Sequence, residues 1–176
     1  NIDADEEISP ELAEEIKQVF TADHINKVYR LKIYAIYPHQ TKLPMFPAGT
    51  TQLRFYNKKT AGFKESAVHD SVIPKAEVNE IELQNAVLHR SHRNIRHTLE
   101  KINSYSDLQA EDLFRRGKNP SAWKMIYTPI FAFFKCYFLK KYVFYGFDGL
   151  LHSWIYAFGR TVRIAKAREK FQQNKK

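Results

Sequence analysis

The apolar positions change period several times along the chain, and each change marks an element. Ser9-Pro10-Glu11 has the residues of a helix start: a capping hydroxyl, proline at the first helical position and an acid in the first turn. Leu12, Ile16, Val19 and Phe20 then fall on one helical face, predicting a helix that ends near Thr21. Tyr29, Leu31, Ile33, Ala35 and Tyr37 recur at every second position and predict a strand over 27–37. A loop carrying Pro38, Pro44 and Pro47 separates it from a second strand at 51–56. The turn-forming run 57–62 predicts a hairpin into a strand at 63–68. Two further short strands are expected at 78–83 and 86–89. A long helix over 94–116 follows, with Ile95, Leu99, Ile102, Tyr105, Leu108 and Leu113 on its buried side. Gly117 and Pro120 end it. Strands mixed with helices predict an α/β chain.

Beyond residue 118 the pattern is of another kind. Two charge-free runs, 125–134 and 149–159, hold ten and eleven residues, with Lys135, Lys140, Lys141 and Asp148 between them. A spanning helix needs roughly 20 apolar residues, so neither run can cross a bilayer. The pattern suits amphipathic helices lying in a membrane interface, with rings at headgroup depth and cationic side chains reaching phosphate. A basic helical cap with its aromatics packed on the domain core is the alternative.

Charge sharpens this division. The 176 residues carry a net +9, but residues 1–112 hold 14 Lys/Arg against 17 Asp/Glu, while residues 113–176 hold 14 against 2. The stretch 123–158 also contains 14 of the 25 aromatic residues. A one-sign field with interleaved rings selects an anionic partner, either a membrane surface or nucleic acid. The rings cluster with Leu, Ile and Val instead of alternating with polar residues on strands, so an anionic membrane is expected and nucleic acid is not. Arg115, Arg116, Lys118, Lys135, Lys140 and Lys141 are the expected surface contacts. The single cysteine, Cys136, excludes an internal disulfide and a Cys-rich zinc module; its apolar neighbours suggest a small core residue.

Candidate chemistry is sparse. Asp3 and Asp5, expected at a strand end, have the spacing to hold a hard divalent cation that could grip a diphosphate, although an acidic surface segment produces D-x-D easily. His69-Asp70 offers a carboxylate general base beside an imidazole, or merely a surface turn pair. Arg54 points away from Leu53 and Phe55 and suits either phosphate binding or a cross-strand ion pair. The other histidines, His89 among them, show no metal-ligand spacing.

Several blocks together resemble a known family. Ile2-Asp3-Ala4-Asp5-Glu6 followed by Ser9-Pro10-Glu11-Leu12 resembles the middle of family 2 glycosyltransferases, most closely bacterial enzymes that add a sugar, often glucose, to the lipopolysaccharide core. Gln52-Leu53-Arg54-Phe55-Tyr56, Val68-His69-Asp70, Leu99-Glu100-Lys101-Ile102-Asn103 and Phe134-Lys135-Cys136-Tyr137-Phe138 continue the resemblance in order. It implies the C-terminal part of a GT-A (Rossmann-like) fold over 1–92, a closing helix over 93–118 and an amphipathic helical tail over 119–176. It also implies that the N-terminal nucleotide-binding half lies outside this chain. On that basis Asp3 and Asp5, with His69 as a further ligand, would hold Mg or Mn against a nucleotide-sugar donor, and Arg54 would bind substrate. Asp70, which stands where the family more often has Glu, would deprotonate the acceptor hydroxyl for inversion at the anomeric carbon. The acceptor would be a lipid-linked saccharide at the cytoplasmic face of the bacterial inner membrane, with the protein bound peripherally. A non-catalytic membrane-surface or interaction module is the alternative.

Overall fold

The computed structural model describes residues 2–21, 27–63, 72–75, 77–90 and 94–174, and it is a mixed α/β structure. The chain divides into two compact units, one formed by 1–43 and 48–91, the other by 44–47 and 92–176.

In the first unit, β1 (Glu6–Ile8), α1 (Pro10–Thr21), β2 (Lys27–Ala35) and β3 (Gly49–Tyr56) are followed by a two-stranded ribbon and a long strand. The ribbon pairs β4 (Ala61–Phe63) antiparallel with β5 (Val72–Pro74), and the long strand is β6 (Asn79–His89). The main sheet runs β1-β6-β2-β3. β2 pairs parallel with β6 and antiparallel with β3, while β1 lies antiparallel to β6. The helix start behaves as its residues predict: Ser9 Oγ accepts from the Leu12 amide at 3.2 Å. Leu12, Ile16 and Val19 pack on Tyr29, Leu31, Ile33, Leu83 and Val87, so the period-2 face of β2 meets the helical face of α1. Phe20 departs from that face and is 60% exposed.

Two expectations need correction. The turn after β3 does form, but Ala61–Phe63 does not pair back onto β3, and residues 64–68 of the expected returning strand lie outside the described residues. Asn57 O accepts from both Thr60 N and Ala61 N, at 2.9 and 3.1 Å, and its side chain accepts from Lys59 N at 3.0 Å. Beyond this turn β4 pairs antiparallel with β5, Ala61 opposite Pro74 and Phe63 opposite Val72.

The segments 78–83 and 86–89 form one strand, not two. Arg30 pairs with Glu82 but Lys32 with Ala86, so β6 carries an irregularity at Leu83–Asn85 without breaking. Glu15 of α1 secures it, accepting from Gln84 N at 2.8 Å and from Asn85 N and Nδ2 at 2.9 Å each. Burial alone would raise the Glu15 pKa, but these donors, with Lys32 nearby, take it below the ordinary 4.5. The carboxylate therefore stabilises the fold above about pH 4.5, and that stability is lost as pH falls through the lower folded value. Glu15→Ala is expected to destabilise the protein by about 1–2 kcal/mol in urea unfolding at neutral pH. An unchanged midpoint would mean that the clamp contributes nothing.

The second unit holds α2 (Ile95–Arg115), α3 (Ala122–Phe134) and α4 (Gly146–Gln173), with a π-helical turn at Lys135–Leu139 and a 3-10 turn at Tyr142–Tyr145. Asn94 Oδ1 caps α2 by accepting from His97 N at 2.8 Å. Gly117, at φ +65°, ends it: Gly117 N donates to Phe114 O and Lys118 N to Leu113 O, both at 2.9 Å. This pair of bonds is a Schellman closure, which favours glycine at the left-handed position.

The buried face of α2 differs from expectation in part: Ile102 and Leu113 are half-buried as expected. Ser106 and Ala110 are buried, whereas Ile95, Leu99, Tyr105 and Leu108 are exposed. Small residues set the seam, since they let α2 and α4 approach closely; an alanine Cβ built at Gly159 would already lie 3.4 Å from Ile102. Beside the seam, Lys166 Nζ donates to Asn103 Oδ1 at 2.7 Å and pairs with Asp107 at 2.8 Å, while Lys170 reaches Glu111 at 2.6 Å. Among the described residues, no helix is long and apolar enough to cross a membrane.

Candidate functional site

The acidic opening is a turn, not a strand end. Glu6 N donates to Asp3 O at 3.0 Å, and β1 begins only at Glu6. In a strand, residues two apart share a face; in this turn the two aspartates part. Asp3 turns to Arg54, with Nη1–Oδ1 at 3.4 Å and Nη2–Oδ2 at 3.2 Å. Arg54 Nη2 also donates to Glu6 Oε1 at 3.0 Å, and Glu6 Oε2 accepts from Asp3 N at 3.0 Å. The Glu6 side chain is 2% exposed, so this is a nearly buried ion pair with its own hydrogen-bond network. Of the two roles open to Arg54, the structure shows the ion pair, with Asp3 of the N-terminal turn and with Glu6 at the start of β1, a strand not adjacent to β3.

Asp5 turns instead to His89 at the end of β6, with Oδ2 3.2 Å from Nε2. The Asp5 carbonyl accepts from Arg90 N at 2.8 Å, and Arg90 Nε pairs with Glu7 at 3.0 Å, fastening the turn to the strand end. Both Asp5 and His89 keep partial access to solvent. A carboxylate beside an imidazole can move a proton or offer one oxygen and one nitrogen to a cation. Among the described residues no group of three His, Cys, Asp or Glu side chains could hold a metal ion. These residues therefore do not form a complete metal nest by themselves. His69 and Asp70 lie outside the described residues.

Sequence reasoning passed over His89 and Glu6. The signal for His89 was topological: β1 pairs with the far end of β6, in the register Glu6 to His89, which brings Asp5 beside the imidazole. Nothing in local spacing encodes that pairing.

The basic residues of the second unit have unlike surroundings. Arg115 pairs with Glu111 at 3.0 Å and Arg116 with Asp112 at 2.8 Å, so their charges are offset on their own helix. Lys118, Lys135 and Lys141 are exposed. Lys140 sits 4.5 Å above the Tyr156 ring, and Arg160 donates to the Tyr156 hydroxyl at 2.7 Å. Burial would raise the Tyr156 pKa, but the two cations take it below the ordinary tyrosine value. The apolar side chains around them face solvent. Trp123, Ile126, Ile130, Phe131 and Phe134 of α3 are exposed, as are Phe138, Leu139, Phe147, Trp154 and Phe158. Cys136 is buried against Ser153, and burial pushes its thiol pKa up.

The chain is similar to proteins named as glycosyltransferases. It is 39% identical over 178 aligned residues to an "uncharacterized glycosyltransferase" of Rickettsia bellii, covering 96% of this chain and 60% of the relative. A protein of the same name from Rickettsia felis is 38% identical, over 99% of this chain and 65% of its own length. The "lipopolysaccharide core biosynthesis glycosyltransferase LpsC" of Rhizobium meliloti is 26% identical over 93% of the chain and 62% of its own length. These similarities support a glycosyltransferase. The chain spans 60–65% of the length of the two Rickettsia relatives. No protein-family model and no solved structure matches it.

Proposed function

We propose that the chain is the acceptor-side and membrane-facing part of an inverting, metal-dependent glycosyltransferase of the GT-A family 2 type. It would pass a sugar from a nucleotide-sugar to a lipopolysaccharide-core or related surface-glycan acceptor. The observation that carries this reading is the similarity along almost the whole chain to proteins named as glycosyltransferases, LpsC among them. The Asp5–His89 pair is the chemistry-bearing feature of the described sheet. A divalent cation arriving with the donor diphosphate would offset the charge that develops on the departing nucleotide diphosphate. Asp5 is the carboxylate to meet it, oriented by His89, with Asp3 nearer to Arg54 and His69 as a further ligand. Asp70 takes the proton of the acceptor hydroxyl as that oxygen bonds to the anomeric carbon and the bond to the diphosphate breaks.

The helical unit serves to dock on the cytoplasmic face of the inner membrane, where a lipid-linked acceptor would be held. Its exposed rings enter the headgroup layer, and each lysine or arginine near an anionic surface contributes about 1 kcal/mol. Turnover of a nucleotide-sugar with a lipid-linked saccharide acceptor by the complete protein, donor-binding half included, followed as nucleoside diphosphate release, tests the catalytic reading. It should require divalent metal and fall by at least about 100-fold in Asp5→Ala. Full turnover in that variant, or in the presence of a chelator, would overturn the metal role.

A further inference from the structure

The helical unit contains a second candidate site, separate from the acidic turn. A cleft of about 460 Å³ opens where the end of α2, the start of α3 and the middle of α4 meet, with Lys118, Lys124 and Arg163 in its lining. That volume falls within the roughly 300–1,000 Å³ of small-ligand sites. Asn119, Tyr127 and Thr128 add neutral hydrogen-bonding groups, and no carboxylate lines the cleft among the described residues. The surrounding fold is otherwise careful with its cations: Arg115, Arg116, Lys166 and Lys170 each meet a carboxylate, and Arg168 donates to Pro120 O at 2.7 Å. Among the described residues, Lys118, Lys124 and Arg163 make no ion pair, and Arg163 Nε is buried with no hydrogen-bond partner. Burial and then the neighbouring Arg160 lower the Arg163 pKa from the ordinary arginine value, as expected for a desolvated cation short of countercharge.

The walls are fixed in place. The Schellman closure at Gly117 holds the Lys118 backbone, and the bond from Arg168 to Pro120 ties the loop 117–120 to α4. Three cationic side chains, one of them a planar guanidinium fork, line a cleft whose lining holds no carboxylate among the described residues. That is the chemistry of phosphate recognition.

We infer that the cleft lined by Lys118, Lys124 and Arg163 binds a phosphate monoester, with the headgroup of an anionic lipid as its source. Trp123 and Ile126, exposed on the same first turns of α3, would enter the bilayer beside it. The choice of source rests on the membrane-docking reading; the site itself does not. A free phosphate shares the chemistry, so the test has two arms.

The first arm compares binding of the protein to phosphatidylcholine vesicles doped with phosphatidic acid or with phosphatidylglycerol, matched for surface charge. Wild type should prefer phosphatidic acid by about tenfold. Arg163→Gln, and the exposed pair Lys118→Gln with Lys124→Gln in case the first does not fold, should bring the preference to parity. The control pair Lys135→Gln with Lys141→Gln should weaken both vesicle types equally and leave the ratio intact. The second arm follows Tm with inorganic phosphate, where a saturable rise in wild type should vanish in the Lys118/Lys124 variant. A variant-sensitive Tm rise without headgroup preference would support the site and assign it to a soluble phosphate. Unchanged preference and unchanged Tm response in the variants would overturn the site. Failure to bind any vesicle defeats the docking reading alone, because the Tm arm reads the cleft without a membrane.

Discussion

Gly149→Ala is expected to lower stability by about 3 kcal/mol or more, which for a chain of this size lowers Tm by about 10 °C. Gly149 lies in the first turn of α4, where a Cβ would sit 1.8 Å from the Tyr142 carbonyl oxygen and 2.7 Å from its carbon. Both are backbone atoms of the preceding 3-10 turn, so no side-chain rotation can relieve the overlap. The helix or the turn must move, and Tyr145 and Ser153, buried nearby, would move with it. Gly159→Ala is the matched control. Its Cβ would meet only the Ile102 side chain, at 3.4–3.6 Å, which is close to ordinary contact. Thermal melts of the two variants should therefore separate clearly, and equal losses would contradict the close approach at Tyr142.

Arg54→Leu is the second large effect. It removes the partner of Glu6, whose side chain is 2% exposed, and leaves a carboxylate with little water to solvate it. Removing one member of a buried pair costs about 3–5 kcal/mol; here the partly open Asp3 side favours the lower end, about 3 kcal/mol. Adding Glu6→Gln to the same variant should restore part of the loss, because it is the stranded charge that destabilises. A lysine at position 54 cannot reproduce the two-pronged contact with Asp3, so Arg54→Lys should also be impaired. If urea unfolding were unchanged in Arg54→Leu while turnover fell, Arg54 would be a ligand-binding residue and not a structural one.

Local signals carried much of the fold. Ser9-Pro10 placed α1, the alternation from Tyr29 placed β2, and Gly117 ended α2 where its left-handed backbone is required. The failures share a physical cause. The pairing of β4 with β5, the joining of 78–83 with 86–89, and the Asp5–His89 contact all depend on partners many residues away. Glu15 shows this well: its place on α1 is readable, but its role as acceptor for Gln84 and Asn85 is not. The buried seam of α2 was missed for another reason. Apolar size drew attention to Leu99 and Leu108, whereas close helix approach is governed by the small residues Ser106 and Ala110. At the candidate site, the D-x-D pattern located Asp3 and Asp5, while the turn that separates them appears only in three dimensions.

Cys136 gives the helical unit a clock of its own. It is the sole thiol in the chain, fully enclosed, and raised in pKa by that enclosure, so a thiol reagent can reach it only when the surrounding helices part. Its labelling rate thus times the breathing of the π-helical turn against α4 in the native protein. Any partner that holds these helices together would be felt at this thiol as a change of tempo, without any probe attached to the surface.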